Sequence, residues 1–577
     1  MDGARLSPPP LLAVPMKLAP VFKQSLTLGP SGAVAGLVAA PIVALAVIAA
    51  EGSGDLWPHL VDYVLPRALS QTATLLAGVA ALVLFLGIGT AWLVTSFDFR
   101  GRGVLEWALL LPLAVPTYVV AFAYLDVLHP VGPLQTGLRD LFGIADPRGL
   151  RLPDVRSMAG CILLLGFVLY PYVYLSTRAM FVLQPAAEIE AARILGAGPV
   201  RIFVHVMLPF ARPGIAVGAS LALMEALNDI GAAEFLGVRT LTVSVYSTWI
   251  NRSSLPGAAQ IALLMLAVVV TLILIERWGR RHRDEAVSSE TTHAMPPRAL
   301  GRWGGALALA LGTLPVFLGF GVPAAYLVVE TAKRLRLSGL PATILAETGN
   351  TIAIAAISTA VALLLGFGVA YAARLLPGRA ATALARFASL GYAVPGTVLA
   401  LGLLAPLAAF DNALDAAMRD LAGISTGLLL SGSGAALVYA YAARFLVIPV
   451  GGIEAGLSKI SLTVDDTART LGASTFQRLS RLHLPLLRPA LAAATLLVFV
   501  DCMKELPATL LLRPLGFETL ATHLYAEASR GTYEDGAVAA LLIVAAGLLP
   551  VMLLARMGRG HEAPESPAGP VDNDGIR

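Results

Sequence analysis

The chain has 577 residues, 57% hydrophobic and 14% charged, with a mean hydropathy of +0.77. Soluble domains carry roughly 25% charged residues, so this balance excludes a soluble globular protein and points to a polytopic membrane protein. The net charge of +4 carries no nucleic-acid signal, because in so apolar a chain the placement of Lys and Arg sets topology.

A spanning helix needs about 20 mostly apolar residues. Twelve segments qualify: 33–50, 73–96, 106–128, 160–183, 214–236, 258–276, 303–328, 351–373, 387–410, 434–452, 490–512 and 537–555. The first ends in Ala49-Ala50-Glu51 but follows some thirty residues. Signal peptides usually run to about 15–30 residues in all, so it reads as an uncleaved helix. The most polar connection follows the sixth span and opens with Glu276-Arg277-Trp278-Gly279-Arg280-Arg281-His282-Arg283. The expected organisation is an N-terminal segment (1–32), a first membrane domain (33–276), a linker (277–302), a second membrane domain (303–556) and a tail (557–577). Pro, Glu, Asp and Gly in the tail predict disorder. Lys and Arg placement puts both termini and the linker in the cytoplasm, although Arg139, Arg148, Arg151 and Arg156 in one long outer loop run against the rule.

Cys161 and Cys502 lie in apolar runs without a CxxC, so neither a disulfide framework nor a zinc site is expected. No HExxH occurs, and no GxxxxGK[ST], so the chain has no P-loop to cradle ATP.

The two halves repeat. Gln71-Thr72 pairs with Asn350-Thr351, Gly87 and Gly89 with Gly366 and Gly368, Val115-Pro116 with Val394-Pro395, Tyr246 with Tyr525 and Gly257 with Gly536, all 279 apart. Between them, Glu190-Ala191-Ala192-Arg193-Ile194-Leu195-Gly196 matches Asp466-Thr467-Ala468-Arg469-Thr470-Leu471-Gly472 at an offset of 276. Leu208-Pro209 and Leu484-Pro485 follow at the same offset. Six spans per half give the halves one orientation, which makes this a parallel repeat about the membrane normal.

Each repeated loop reads as helix, turn, helix. Pro185 suits a helix start, with Glu188 and Glu190 at the positive end of its dipole. Gly196 and Gly472 supply turns. Val200, Phe203, Val204 and Met207 form an apolar stripe at helical spacing, which Pro209 is expected to stop. In the second loop Ser474 and Gln477 form a capping box. Phe476, Leu479 and Leu482 follow at helical spacing, and Pro485 ends the segment.

The pattern Glu-Ala-Ala, three residues, Gly, then Leu-Pro resembles the motif of ABC importer permeases. The first copy is a full match, and the second keeps Asp466, Ala468, Gly472 and Pro485. The resemblance covers both halves and implies an all-α MetI-like permease fold. It implies that these loops are coupling helices docking in a cytoplasmic ABC ATPase dimer, which would hydrolyse ATP while this chain is not an enzyme and binds no cofactor or metal. It also implies a periplasmic substrate-binding protein and a bacterial inner-membrane location among lipid. Phe203 and Phe476 would enter the ATPase groove, and Glu190 and Asp466 would fix orientation.

Spans 5 and 11 hold Glu225, Asn228, Asp229 and Glu234, and Asp501, Lys504 and Glu505. A central charge costs at least about 2.5–3.5 kcal/mol on insertion scales, so these residues are expected to face a polar path between the halves, to pair with one another, or both. Pro116 and Pro395 are expected to bend spans 3 and 9. The stretch from Lys504-Glu505-Leu506-Pro507 to Arg513-Pro514 is similar to the second half of fused iron(III)-type permeases. Thiamine and phosphonate-type importers are alternatives. A secondary transporter driven by an ion gradient is the alternative of a different class, but it has no reason to repeat such a loop.

Overall fold

The computed structural model describes residues 18–144, 146, 149–280, 297–376 and 378–559. Most of the predicted linker, the first residues of the N-terminal segment and nearly all of the tail therefore lie outside the described residues.

Among the described residues the protein is almost wholly helical. Ten helices are long and apolar enough to cross a membrane, and two bent pairs bring the number to twelve if each pair is one span. The spans are Gly29–Ala50, Leu56–Ser96, Arg102–Ala114 with Thr117–Val127, Met158–Val182, Pro199–Asn228 and Leu255–Gly279 in the first half. In the second they are Arg302–Ser338, Ile344–Leu375, Gly396–Ala422, Ala435–Phe445 with Val447–Ser458, Thr475–Met503 and Tyr533–Leu553. Spans 2 and 7 run well past their apolar windows, because hydropathy marks the part of a helix suited to lipid and not where its backbone bonding ends.

Prolines shape these helices in two ways. Span 3 turns by 90° at Val115-Pro116, as expected, and span 9 begins at Gly396 directly after Pro395. Pro209 and Pro485 do not stop their helices. Each follows a five-residue π turn, Phe203–Met207 or Leu479–His483, closed by a bond from Leu208 N–H to the Phe203 carbonyl or from Leu484 N–H to the Leu479 carbonyl. Proline has no N–H to donate and crowds the carbonyl four residues back. A wider turn in front of it lets the helix continue. The same turn precedes Pro66 and Pro323.

The repeat holds in detail. Thr72 Oγ1 accepts from Leu241 N–H, and Thr351 Oγ1 from Leu520 N–H, both at 2.9 Å. Gly87 lets span 2 close on span 4, where a Cβ would lie 2.6 Å from Val173 Cβ. Its counterpart Gly366 meets Pro449, at 2.9 Å.

The first span of each half crosses to the other. Span 1 packs on spans 8 and 9 as well as span 6, and Tyr439 of span 10 donates to the Leu37 carbonyl at 2.7 Å. Span 7 packs on span 12 and also on span 3, where Tyr326 donates to Asp126 Oδ2 and Tyr124 donates to the Leu318 carbonyl, each at 2.8 Å. A short parallel strand pair, Phe97–Asp98 with Arg298–Ala299, adds a further link between the halves.

Candidate functional site

Four helix breaks meet between the halves. Spans 5 and 11 end at Asn228 and Met503, and short helices Gly231–Phe235 and Pro507–Leu512 follow. Neither span therefore runs to 236 or 512 as the apolar pattern suggested. Acids at equivalent positions hold both breaks. Asp229 Oδ1 accepts from the N–H groups of Ala232 at 2.7 Å and Ala233 at 3.4 Å. Glu505 Oε1 accepts from Ala508 N–H at 3.0 Å. A carboxylate placed there satisfies N–H groups that a helix start leaves open, and it faces the positive end of the helix dipole.

The breaks at Pro116 and Pro395 complete the set. Thr117 donates its hydroxyl hydrogen bond to Asp229 Oδ2. Gly396 N–H donates to Asn228 Oδ1 at 2.8 Å, across the halves. A Cβ on Gly396 would lie 2.3 Å from Arg444 Nη1 and 2.6 Å from Glu505 Oε1, so any larger residue there would displace the ends of both side chains.

The breaks enclose a cavity of about 100 Å³. All six residues expected along a polar path, Glu225, Asn228, Asp229, Asp501, Lys504 and Glu505, line it. They also pair with their neighbours. Lys504 Nζ lies 2.8 Å from Asp501 Oδ1, and Glu225 Oε1 accepts from Tyr392 at 3.0 Å. Glu234 stands apart, beyond the break. It accepts from Tyr525 at 2.5 Å, and the Tyr525 ring stacks on Phe235 and meets the edge of Tyr246. Tyr246 and Tyr525 are equivalent positions, so here the two halves meet through matching residues.

Five polar or aromatic-hydroxyl lining residues escaped the sequence reading: Thr117, Tyr118, Tyr172, Tyr392 and Arg444. Arg444 is 6% exposed, and its Nη1 lies 3.1 Å from Glu505 Oε1 and 3.5 Å from Asn228 Oδ1. Its counterpart 276 residues earlier is Val168, so a search for matched pairs passes over it. An arginine inside the apolar run Ala435–Phe445 was the signal available.

The repeated loops project at one end of the bundle. In the first, helix Ala186–Ile194 ends and Gly196 turns the chain at φ +80°. In the second, helix Leu462–Thr470 is followed by Gly472 at φ +81°. Ala197 N–H donates to the Ala192 carbonyl at 3.0 Å and Ala473 N–H to the Ala468 carbonyl at 2.9 Å, which makes the two turns alike. The expected capping box is present, with Gln477 N–H on Ser474 Oγ at 3.2 Å and Ser474 N–H on Gln477 Oε1 at 2.9 Å. Glu190, Ala191 and Asp466 are exposed, as is Phe476 at 74%. Phe203 is not. It packs on Trp92 at 4.6 Å and Phe181 at 6.4 Å between ring centroids. Phe203 is half-buried there, Ile202 and Met207 are buried beside it, and Val200 and Val204 face out, so the stripe is rotated from the one expected. The apolar reach of the first loop passes to Ile194, Leu195 and Val200.

Asp465, beside the motif residue Asp466, was also missed. It is 7% exposed and joins several elements. Arg374 Nη2 lies 2.8 Å from its Oδ2, His483 Nε2 lies 2.7 Å from its Oδ1, and Arg478 Nη1 lies 3.8 Å from Oδ1. Burial pushes the Asp465 carboxyl up, but the Arg374 and His483 contacts outweigh it and hold it below the usual carboxylate range.

Paired halves, broken helices around a polar cavity, and two equivalent exposed loops define a membrane permease. Residues 83–283 and 362–557 match the family described as binding-protein-dependent transport system inner membrane component, one match in each half. The chain belongs to that family. It is 24% identical to the Fe(3+)-transport system permease protein FbpB 2 of Haemophilus influenzae, over 84% of this chain and 89% of that one. It is 31% identical to the molybdenum transport system permease protein ModB of Escherichia coli, over 35% of this chain and 87% of that one. A putative 2-aminoethylphosphonate transport system permease protein of Salmonella choleraesuis is 30% identical over 36% of this chain and 73% of its own length.

Proposed function

We propose that this protein is the permease of an ATP-driven iron(III) importer. The observation that carries the reading is the likeness to an Fe(3+)-transport permease through both halves, whereas the molybdenum and phosphonate relatives match about a third of the chain. A periplasmic binding protein delivers the substrate to the outer face, where Tyr246 and Tyr525 of the two halves meet. A cytoplasmic ATPase dimer grips the two exposed loops, with both termini of this chain on the same side. The four cavity carboxylates against Arg444 and Lys504 leave a net negative lining that suits a cation. The test is uptake of radiolabelled iron(III), thiamine, molybdate and 2-aminoethylphosphonate into proteoliposomes holding the permease, its ATPase and its binding protein. Iron uptake that requires ATP supports the reading. ATP-dependent uptake of another substrate alone refutes the iron assignment, and uptake driven by an ion gradient without ATP refutes the importer.

A further inference from the structure

The two exposed loops rest on seats of opposite chemistry at matching positions. In the first half the seat is mainly apolar, its polar contact a long one from the Ser96 hydroxyl to Met207 Sδ at 3.8 Å. Ile189, Ile202 and Met207 are buried there, and the Trp92 ring packs on Phe203 at a tilt of 34°. At the equivalent positions the second half carries Asp465, Arg478, His483 and Tyr371, offset by 276 or, for Tyr371, 279. Thr95 of span 2 corresponds to Arg374 of span 8, again at 279. Among the described residues, Thr95 bonds within its own helix, to the Ala91 carbonyl at 2.8 Å and the Trp92 carbonyl at 3.4 Å.

Arg374 reaches further. Beyond Asp465 it donates to the Leu457 carbonyl at 3.2 Å and the Ile460 carbonyl at 2.8 Å, at the end of span 10. His483 holds Asp465 through Nε2, and its Nδ1 is 3.2 Å from the Tyr371 hydroxyl on span 8. One carboxylate thus ties the loop helix Leu462–Thr470 to spans 8, 10 and 11.

We propose that Asp465 is a positioning residue that locks the second loop to its half, so that the two loops transmit motion through unlike seats. This rests on the reading of the loops as ATPase contacts. Apolar contact is non-directional, and the first loop can shift over its seat. A charge-assisted network fixes angle and register, and it moves as one body. Removing one member leaves buried charges uncompensated, so the second loop depends on Asp465 as the first depends on no single residue. Domain motion at the ATPase then enters the second half as rigid displacement and the first half with slack.

The test uses the full complex in proteoliposomes and reads ATP hydrolysis and substrate uptake together. For Asp465→Asn we expect binding-protein-stimulated ATPase activity within about twofold of wild type, and uptake per ATP reduced roughly fivefold or more. Arg374→Gln is expected to repeat this, Arg374→Lys to recover part of it, and Ile189→Ala to leave uptake per ATP within about twofold. Unchanged uptake per ATP in Asp465→Asn and Arg374→Gln overturns the proposal, as does an equal defect in Ile189→Ala. Loss of ATPase activity and uptake in proportion, in both Asp465→Asn and Arg374→Gln, also overturns it. Gly472→Val separates the two levels. If it leaves uptake intact the loops are not ATPase contacts. If it abolishes uptake while Asp465→Asn has no effect, only the role of Asp465 falls.

Discussion

The side chain of Asn228, at the end of span 5, accepts a hydrogen bond from the backbone N–H of Gly396, at the start of span 9, at 2.8 Å. One residue of the first half thereby completes the helix start of the second. Both groups are buried, so Asn228→Ala leaves the Gly396 donor without a partner, at about 1–3 kcal/mol. Thermal unfolding of the purified permease should show a lowered Tm for Asn228→Ala. Asn228→Asp retains the acceptor and should recover most of the loss.

Arg444 and Glu505 are a buried pair, with side chains 7% and 4% exposed. Replacing Arg444 alone by Met strands Glu505 and should cost about 3–5 kcal/mol. The double variant Arg444→Met, Glu505→Gln should be closer to wild type than Arg444→Met, which a double-mutant cycle in thermal unfolding would resolve.

Tyr246 and Tyr525 meet edge to face, with ring centroids 6.4 Å apart. With cysteine at both positions, a short thiol cross-linker should join the halves and stop uptake, and a cleavable linker should restore it on reduction. The native Cys161 and Cys502 are buried and should not compete.

Asp465 also makes one seat sensitive to acid. Its carboxyl is held below the usual range, so its contribution is fully present above the unfolded value of about 3.9 and is lost as pH falls through the lower folded value. Hydrogen exchange, corrected for intrinsic rates, should show protection of 462–483 falling in that acid window. The apolar seat under 186–207 should not respond there.

Gly196 has φ +80° and open space where a Cβ would stand. A Cβ there meets backbone strain of about 1–2 kcal/mol and no neighbour within 4 Å, so Gly196→Val should reach the membrane at normal abundance. Uptake should nevertheless be abolished, as in Glu190→Lys. Immunoblotting beside transport assays checks both.

What the sequence disclosed was what the halves share. Constant offsets brought out the loops, the Pro116 and Pro395 breaks and the six cavity residues, because each has a counterpart to be compared with. Arg444 and Asp465 were silent because their counterparts are Val168 and Ile189, and a pairwise reading discards mismatches. Phe203 was misplaced for another reason. Helical spacing shows that residues share a face, but Trp92, more than a hundred residues away, decides which face turns inward. The rule that makes Pro209 a stop assumes an α turn before it, and the π turn removes the conflict.

The exchange of first spans between the halves bears on biosynthesis. Nearly 300 residues separate Ala50 from Ile344, where the first of span 1's second-half neighbours begins. At about 5–20 residues per second, span 1 enters the bilayer roughly 15–60 s before its docking surface is made. Lipid must cover Val34 and Val38 during that interval. Because both halves come from one message, the docking surface emerges beside the waiting helix, and each copy completes itself without searching the membrane for a partner.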